Sequence, residues 1–136
     1  TSAEVYADFA PGWTHFDLWT DNLLFASGEL TAIVDFDRAR YTFPMLDLGR
    51  AVLSCTLDAG RFRQEAAAAF AEGYRTFAAL PKGHLLHAVR YCWLVESFWW
   101  LRPGMEAYSS APKRFAEEML WTAAGWNNPE KVLGAV

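Results

Sequence analysis

The stretch "HLLHAVRYCWLVESFWWLR", His84 to Arg102, restricts what this chain can fold into more than any other. Its residues favour helix, and Pro103 stops it. Apolar side chains occur on nearly every side, so a helix here has little polar face to offer water and must be covered by neighbours. Glu96 interrupts the run, which falls short of the roughly 18 consecutive apolar residues that a membrane span needs. The expectation is a central helix inside a helical body.

Other helices are legible around it. Asp47 is placed to cap a helix through "LGRAVLSCTL". "RFRQEAAAAFAEGYRTFAAL" reads as a helix ending before Pro81, and another runs from Ser110 or Pro112 through "KRFAEEMLWTAA" to about Gly125. Earlier in the chain the pattern differs. "NLLF" and "LTAIVDF" are short runs of β-formers separated by "ASGE", whose Gly28 suits a tight turn, so they read as a hairpin. The fold class is α+β, mostly α, a small β-hairpin packed on a helical bundle.

A chain of 136 residues fits one domain, and its 53% hydrophobic content supplies an ample core. The net charge of −4, with Lys and Arg scattered, argues against nucleic acid and anionic lipid as partners. Cys55 and Cys92 lack CxxC spacing, so neither a disulfide framework nor a zinc site is supported, and a reducing cytoplasm is the simpler location.

Chemistry concentrates in "HFDLWTDN", His15 to Asn22, and "AIVDFD", Ala32 to Asp37. An ionised Asp can take a proton from an attacking hydroxyl, while an Asn oxygen and a second carboxylate can hold Mg²⁺ between phosphate oxygens. Asp17, Asn22 and Asp35 are such an inventory, and an antiparallel hairpin brings Asn22 and Asp35 together. "HFDLWTDN" matches the kinase catalytic-loop form H-x-D-L-x-x-x-N, and "DFD" follows where kinases carry D-F-G.

On these residues the chain resembles the aminoglycoside phosphotransferase family, with its choline and homoserine kinase relatives and protein-kinase-like fold. The resemblance is close over "THFDLWTDNLLF", "LTAIVDFDRAR" and "FPMLDLGRA", and general in the later helices. It implies ATP as phosphoryl donor, a small-molecule hydroxyl as acceptor, Asp17 as catalytic base, Asn22 and Asp35 as Mg²⁺ ligands, and His15 as a support of the loop. Asp47 is similar to a family Asp that braces this loop from a helix start. Phe16 stands where the family commonly has Gly, and Asp37 where protein kinases have Gly; Asp37 reads equally as an outer-shell metal contact or a turn residue. Fourteen residues precede His15, and neither a GxGxxG loop nor a VAIK-like strand is found, so the resemblance implies a carboxy-terminal lobe without its amino-terminal ATP lobe.

Other candidates have plainer readings beside them. Trp93, Glu96 and Trp100 fall on one helix face and could receive a cationic acceptor, against a tryptophan-rich core with Glu96 paired. Glu117 with Glu118, Asp21, and Arg38 with Arg40 read as solvated groups. Two alternatives to a transferase stay open. One is a noncatalytic fragment or binding module, able to self-associate through an exposed lobe interface. The other is a metal-dependent phosphoester hydrolase using Asp35 and Asp37 as a D-x-D pair.

Overall fold

The computed structural model describes residues 4–7, 9–128, 133 and 136. In chain order it contains α1 (Glu4–Ala7), β1 (Gly12–Thr14), a 3₁₀ turn at Thr20–Asn22, β2 (Leu23–Ala26), β3 (Glu29–Ile33) and β4 (Arg40–Thr42). Then follow α2 (Met45–Thr56), β5 (Leu57–Asp58), β6 (Arg61–Phe62), α3 (Gln64–Arg75), α4 (His84–Trp100) and α5 (Ser110–Ala124). The architecture is mostly helical with small antiparallel strand pairs. Among the described residues no helix is long and apolar enough to cross a membrane.

The core is the contact of α2 with α4. Leu46, Val52 and Leu53 of α2 meet Leu85, Val89 and Cys92 of α4, with Met119 of α5 completing the layer. Gly49 makes this approach possible: a Cβ there would lie 2.2 Å from the Ala88 carbonyl oxygen. A side chain of any size would push the helices apart.

Only the first half of α4 is central. Leu85, Ala88, Val89 and Cys92 are buried, whereas Leu94, Phe98 and Trp99 are exposed, with Phe98 retaining 71% of its surface. The expectation of an all-round covered helix therefore fails for its last two turns, because α2 ends at Thr56 and only α5 continues alongside.

Among the described residues three strand pairs accompany the helices. β2 and β3 form the expected hairpin, with Leu23 opposite Ile33 and a bulge between Leu24 and Phe25. Ser27 and Gly28 both take positive φ, 53° and 82°, in the tight turn that matches the twist of its strands. The hairpin does not pack on the helices as expected. Phe25, Leu30 and Ile33 stay exposed, because apolar groups on both faces of a two-stranded ribbon need two covering layers.

β1 pairs with β4, Trp13 opposite Tyr41, in segments that read as turn and irregular chain. β5 and β6 close a second tight turn through Ala59 and Gly60, both at positive φ. That turn takes Arg61 and Phe62 out of the helix expected there, so α3 begins at Gln64 and ends at Arg75. Asp47 does not cap α2. The cap position is Pro44, and the Asp47 carboxylate turns to another segment.

Candidate active site

The loop His15–Asn22 is held from three directions. From α2, the Asp47 carboxylate accepts the backbone N–H of His15 at 2.6 Å and of Phe16 at 2.9 Å. Two turns further along the same face, Ser54 Oγ accepts the N–H of Thr20 at 2.9 Å. From the end of β3, the Val34 carbonyl lies 2.8 Å from His15 Nε2. A carbonyl can only accept, so Nε2 carries the proton; Nδ1 is then bare and accepts the N–H of Asp17 at 3.2 Å. His15 thus sits buried as a spacer between loop and strand.

Burial pushes the Asp47 carboxyl above the ordinary range, against the pull of the two N–H groups. Its partners are the backbone amides of His15 and Phe16, which satisfy the half-buried carboxylate.

Asp17 and Asn22 meet inside this frame. Asn22 Nδ2 donates to the Asp17 carbonyl at 2.8 Å and lies 3.4 Å from its carboxylate Oδ2. The amide's donor side is spent on Asp17, which leaves Oδ1 as a hard oxygen donor. The Val34 N–H donates to the Asn22 carbonyl at 3.0 Å and so sets the chain end carrying Asp35 beside Asn22. Asp35 is exposed and has a φ of 61°. An Asn oxygen and a carboxylate suit Mg²⁺, which takes few protein ligands and completes its shell with phosphates and water. Among the described residues no three His, Cys, Asp or Glu side chains gather as a metal site. Asp37 lies exposed in the turn after Asp35, and Asp21 is exposed in the 3₁₀ turn.

Phe16 has a φ of 71°. This left-handed conformation costs most residues about 1 kcal/mol or more and costs glycine nothing, which gives physical content to the departure from Gly at this position. The ring packs against the core and carries the Arg40 guanidinium 4.1 Å from its centroid.

Beside Asp17 opens a cavity of about 150 Å³ walled by Phe16, Glu96, Trp99, Trp100 and Phe115. Arg38 and Arg50 also reach it. The three residues of α4 expected on one face divide. Glu96 and Trp100 line the cavity, and the Trp100 indole N–H donates to Glu96 at 3.2 Å. Trp93 points elsewhere, donating to the Met119 carbonyl at 3.0 Å and packing on Trp126.

Glu96 is paired. Arg50, almost wholly buried, bridges the carboxylates of Glu96 and Glu118, and Arg114 reaches Glu118 at 3.3 Å from the other side. Glu118 is therefore a buried ion-pair member and no part of a solvated face; Glu117 beside it is exposed. The Cys92 thiol lies 3.5 Å from Arg50, and burial pushes it far above the ordinary thiol range. Both cysteines are free thiols. The Arg50 network escaped the sequence reading although a signal existed: a lone Arg inside the apolar run "LGRAVL" must find a carboxylate when that face is buried.

The sequence model of the phosphotransferase enzyme family matches residues 2–80, more than half of the chain. The chain belongs to the phosphotransferase enzyme family. No curated protein matches it. The family match takes in the loop, the hairpin, α2 and α3, and stops before α4 and α5. In this phosphotransferase-family chain, then, the walls made by Trp99, Trp100 and Phe115 lie outside the matched segment.

Proposed function

We propose that the chain is the carboxy-terminal lobe of a kinase-like phosphotransferase that moves the γ-phosphoryl group of ATP to a small-molecule hydroxyl in the cytoplasm. Asp17 orients the acceptor hydroxyl and takes its proton, from a position where Asn22 holds the carboxylate in place. Asn22 Oδ1 and Asp35 hold the Mg²⁺ that accompanies the nucleotide, and that ion supplies charge stabilisation on the phosphate oxygens. His15 and Asp47 keep the loop's backbone in register, and Asp37 serves as a turn residue. A glycine-rich loop and a strand lysine, the other wall of the nucleotide site, belong in this reading to a separate amino-terminal lobe.

The observation that carries the reading is the position of Asp17, at once beside the cavity and within reach of the Asn22 amide. In the enzyme with both lobes, Asp17→Asn lowers turnover by roughly 10²-fold or more while nucleotide affinity stays within a few-fold. Unchanged turnover would remove Asp17 from the base role.

The wide exposure of the β2–β3 hairpin supports a related reading, in which this chain alone is an inert module. Incubated with Mg²⁺, ATP and hydroxylated amines, it then releases no ADP above background. Acceptor-dependent ADP release contradicts that.

A further inference from the structure

The cavity beside Asp17 has walls that discriminate by charge and by size. Of the two carboxylates among its described lining residues, that of Asp17 stands outside any ion pair, whereas Glu96 is engaged by Arg50 and by the Trp100 indole. Three of the four aromatic walls, Phe16, Phe115 and Trp99, are already faced by cations, and Trp100 packs on Phe115. Arg40 lies 4.1 Å from the Phe16 centroid and Arg38 5.9 Å, Arg50 lies 4.8 Å from Phe115, and Arg102 lies 5.4 Å from Trp99. A ring whose π-face holds one guanidinium offers little to a second cation, and a cationic ligand would meet the repulsion of those guanidiniums. An anion would face Asp17, Arg50 is occupied by two carboxylates, and the remaining cation on the lining, Arg38, lies over the Phe16 ring.

Phe16 forms one wall of the cavity. Its left-handed backbone would suit glycine, yet a phenyl ring stands there, and the volume of about 150 Å³ is close to that of a cavity that holds one benzene ring; here the aromatic walls alternate with Asp17, Glu96, Arg38 and Arg50.

Resting on the proposed phosphotransfer, we infer that the acceptor is an uncharged alcohol whose hydroxyl stands on a single apolar or aromatic ring, with Phe16 as the residue that sets its size. The ring lies between Phe16, Trp100 and Phe115, and the hydroxyl points to Asp17.

The test is ligand-observed NMR titration of the full chain, without nucleotide, with benzyl alcohol, choline and 2-naphthalenemethanol. Benzyl alcohol binds saturably and at least about tenfold more tightly than choline. Choline equal to or tighter than benzyl alcohol overturns the inference. Phe16→Gly, which the backbone accepts, shifts the preference toward 2-naphthalenemethanol by about tenfold; an unshifted preference in folded F16G removes Phe16 from the size-setting role. Should F16G not fold, the comparison of benzyl alcohol with choline on the unaltered chain decides the charge inference alone, and Phe16→Leu, which widens the corner less, decides the size inference. Binding that persists in an enzyme that phosphorylates no alcohol would count against the catalytic reading and still support the cavity's selectivity.

Discussion

Asp47 and His15 are 32 residues apart in sequence, and the carboxylate of the first accepts the backbone N–H of the second at 2.6 Å. With the neighbouring bond to Phe16 at 2.9 Å, this makes the first turn of α2 the support on which the loop bearing Asp17 rests. Replacing Asp47 by Ala leaves two partly buried N–H groups without an acceptor. The expected loss is about 2 kcal/mol or more of unfolding free energy in urea denaturation. A loss below about 0.5 kcal/mol, the range of an ordinary surface change, would contradict the bracing role.

The same carboxyl gives a pH dependence. Its folded-state pKa is raised, chiefly by burial, so the folded chain binds this proton more tightly than the unfolded chain does. Its contribution is fully present below the unfolded value of about 4 and declines as pH rises through the folded value. Asp47→Asn removes this decline. The melting temperature of the unaltered chain, relative to D47N, therefore falls as pH increases above about 4; parallel curves across that range would show that Asp47 titrates alike in both states.

Arg50 is the hub of a buried charge cluster, and breaking such a cluster costs more than the cluster contributes. Arg50→Met strands Glu96 and Glu118, with an expected loss of roughly 3–5 kcal/mol. Adding Glu118→Gln to R50M recovers part of it, because the stranded charge is gone. A denaturation cycle over the single and double variants reads this coupling, and strictly additive losses would mean that Glu118 does not depend on Arg50.

At Gly49 helix propensity and packing predict opposite signs. Alanine gains up to about 1 kcal/mol in an exposed helix interior, but here its Cβ would press on the Ala88 carbonyl at 2.2 Å and on Cys92 Cβ at 3.0 Å. Packing wins. Gly49→Ala is expected to destabilise by about 1–3 kcal/mol in thermal or urea unfolding; a stabilised variant would show that α2 and α4 are less tightly apposed.

What could be read along the chain was local. The hairpin at Gly28, the stops at Pro103 and Gly125, and the spacing of His15, Asp17 and Asn22 follow from turn chemistry, helix propensity and a compact loop, each specified within about ten residues. The turn at Asp58 to Arg61 is only weakly marked in sequence, by Gly60, because Ala59 beside it is a helix former.

What the sequence by itself determined, then, is a mostly helical chain with a hairpin and a phosphotransferase-type loop. Tertiary structure alone decided that Asp47 braces the loop instead of capping its own helix, that Glu118 is buried against Arg50 across 68 residues, and that Glu96 and Trp100 face Asp17 while Trp93 does not. The reason is physical. Which polar group satisfies another across a packed interface depends on the approach of α2, α4 and α5, a relation set by side-chain volume at distant positions such as Gly49, and no local pattern encodes it.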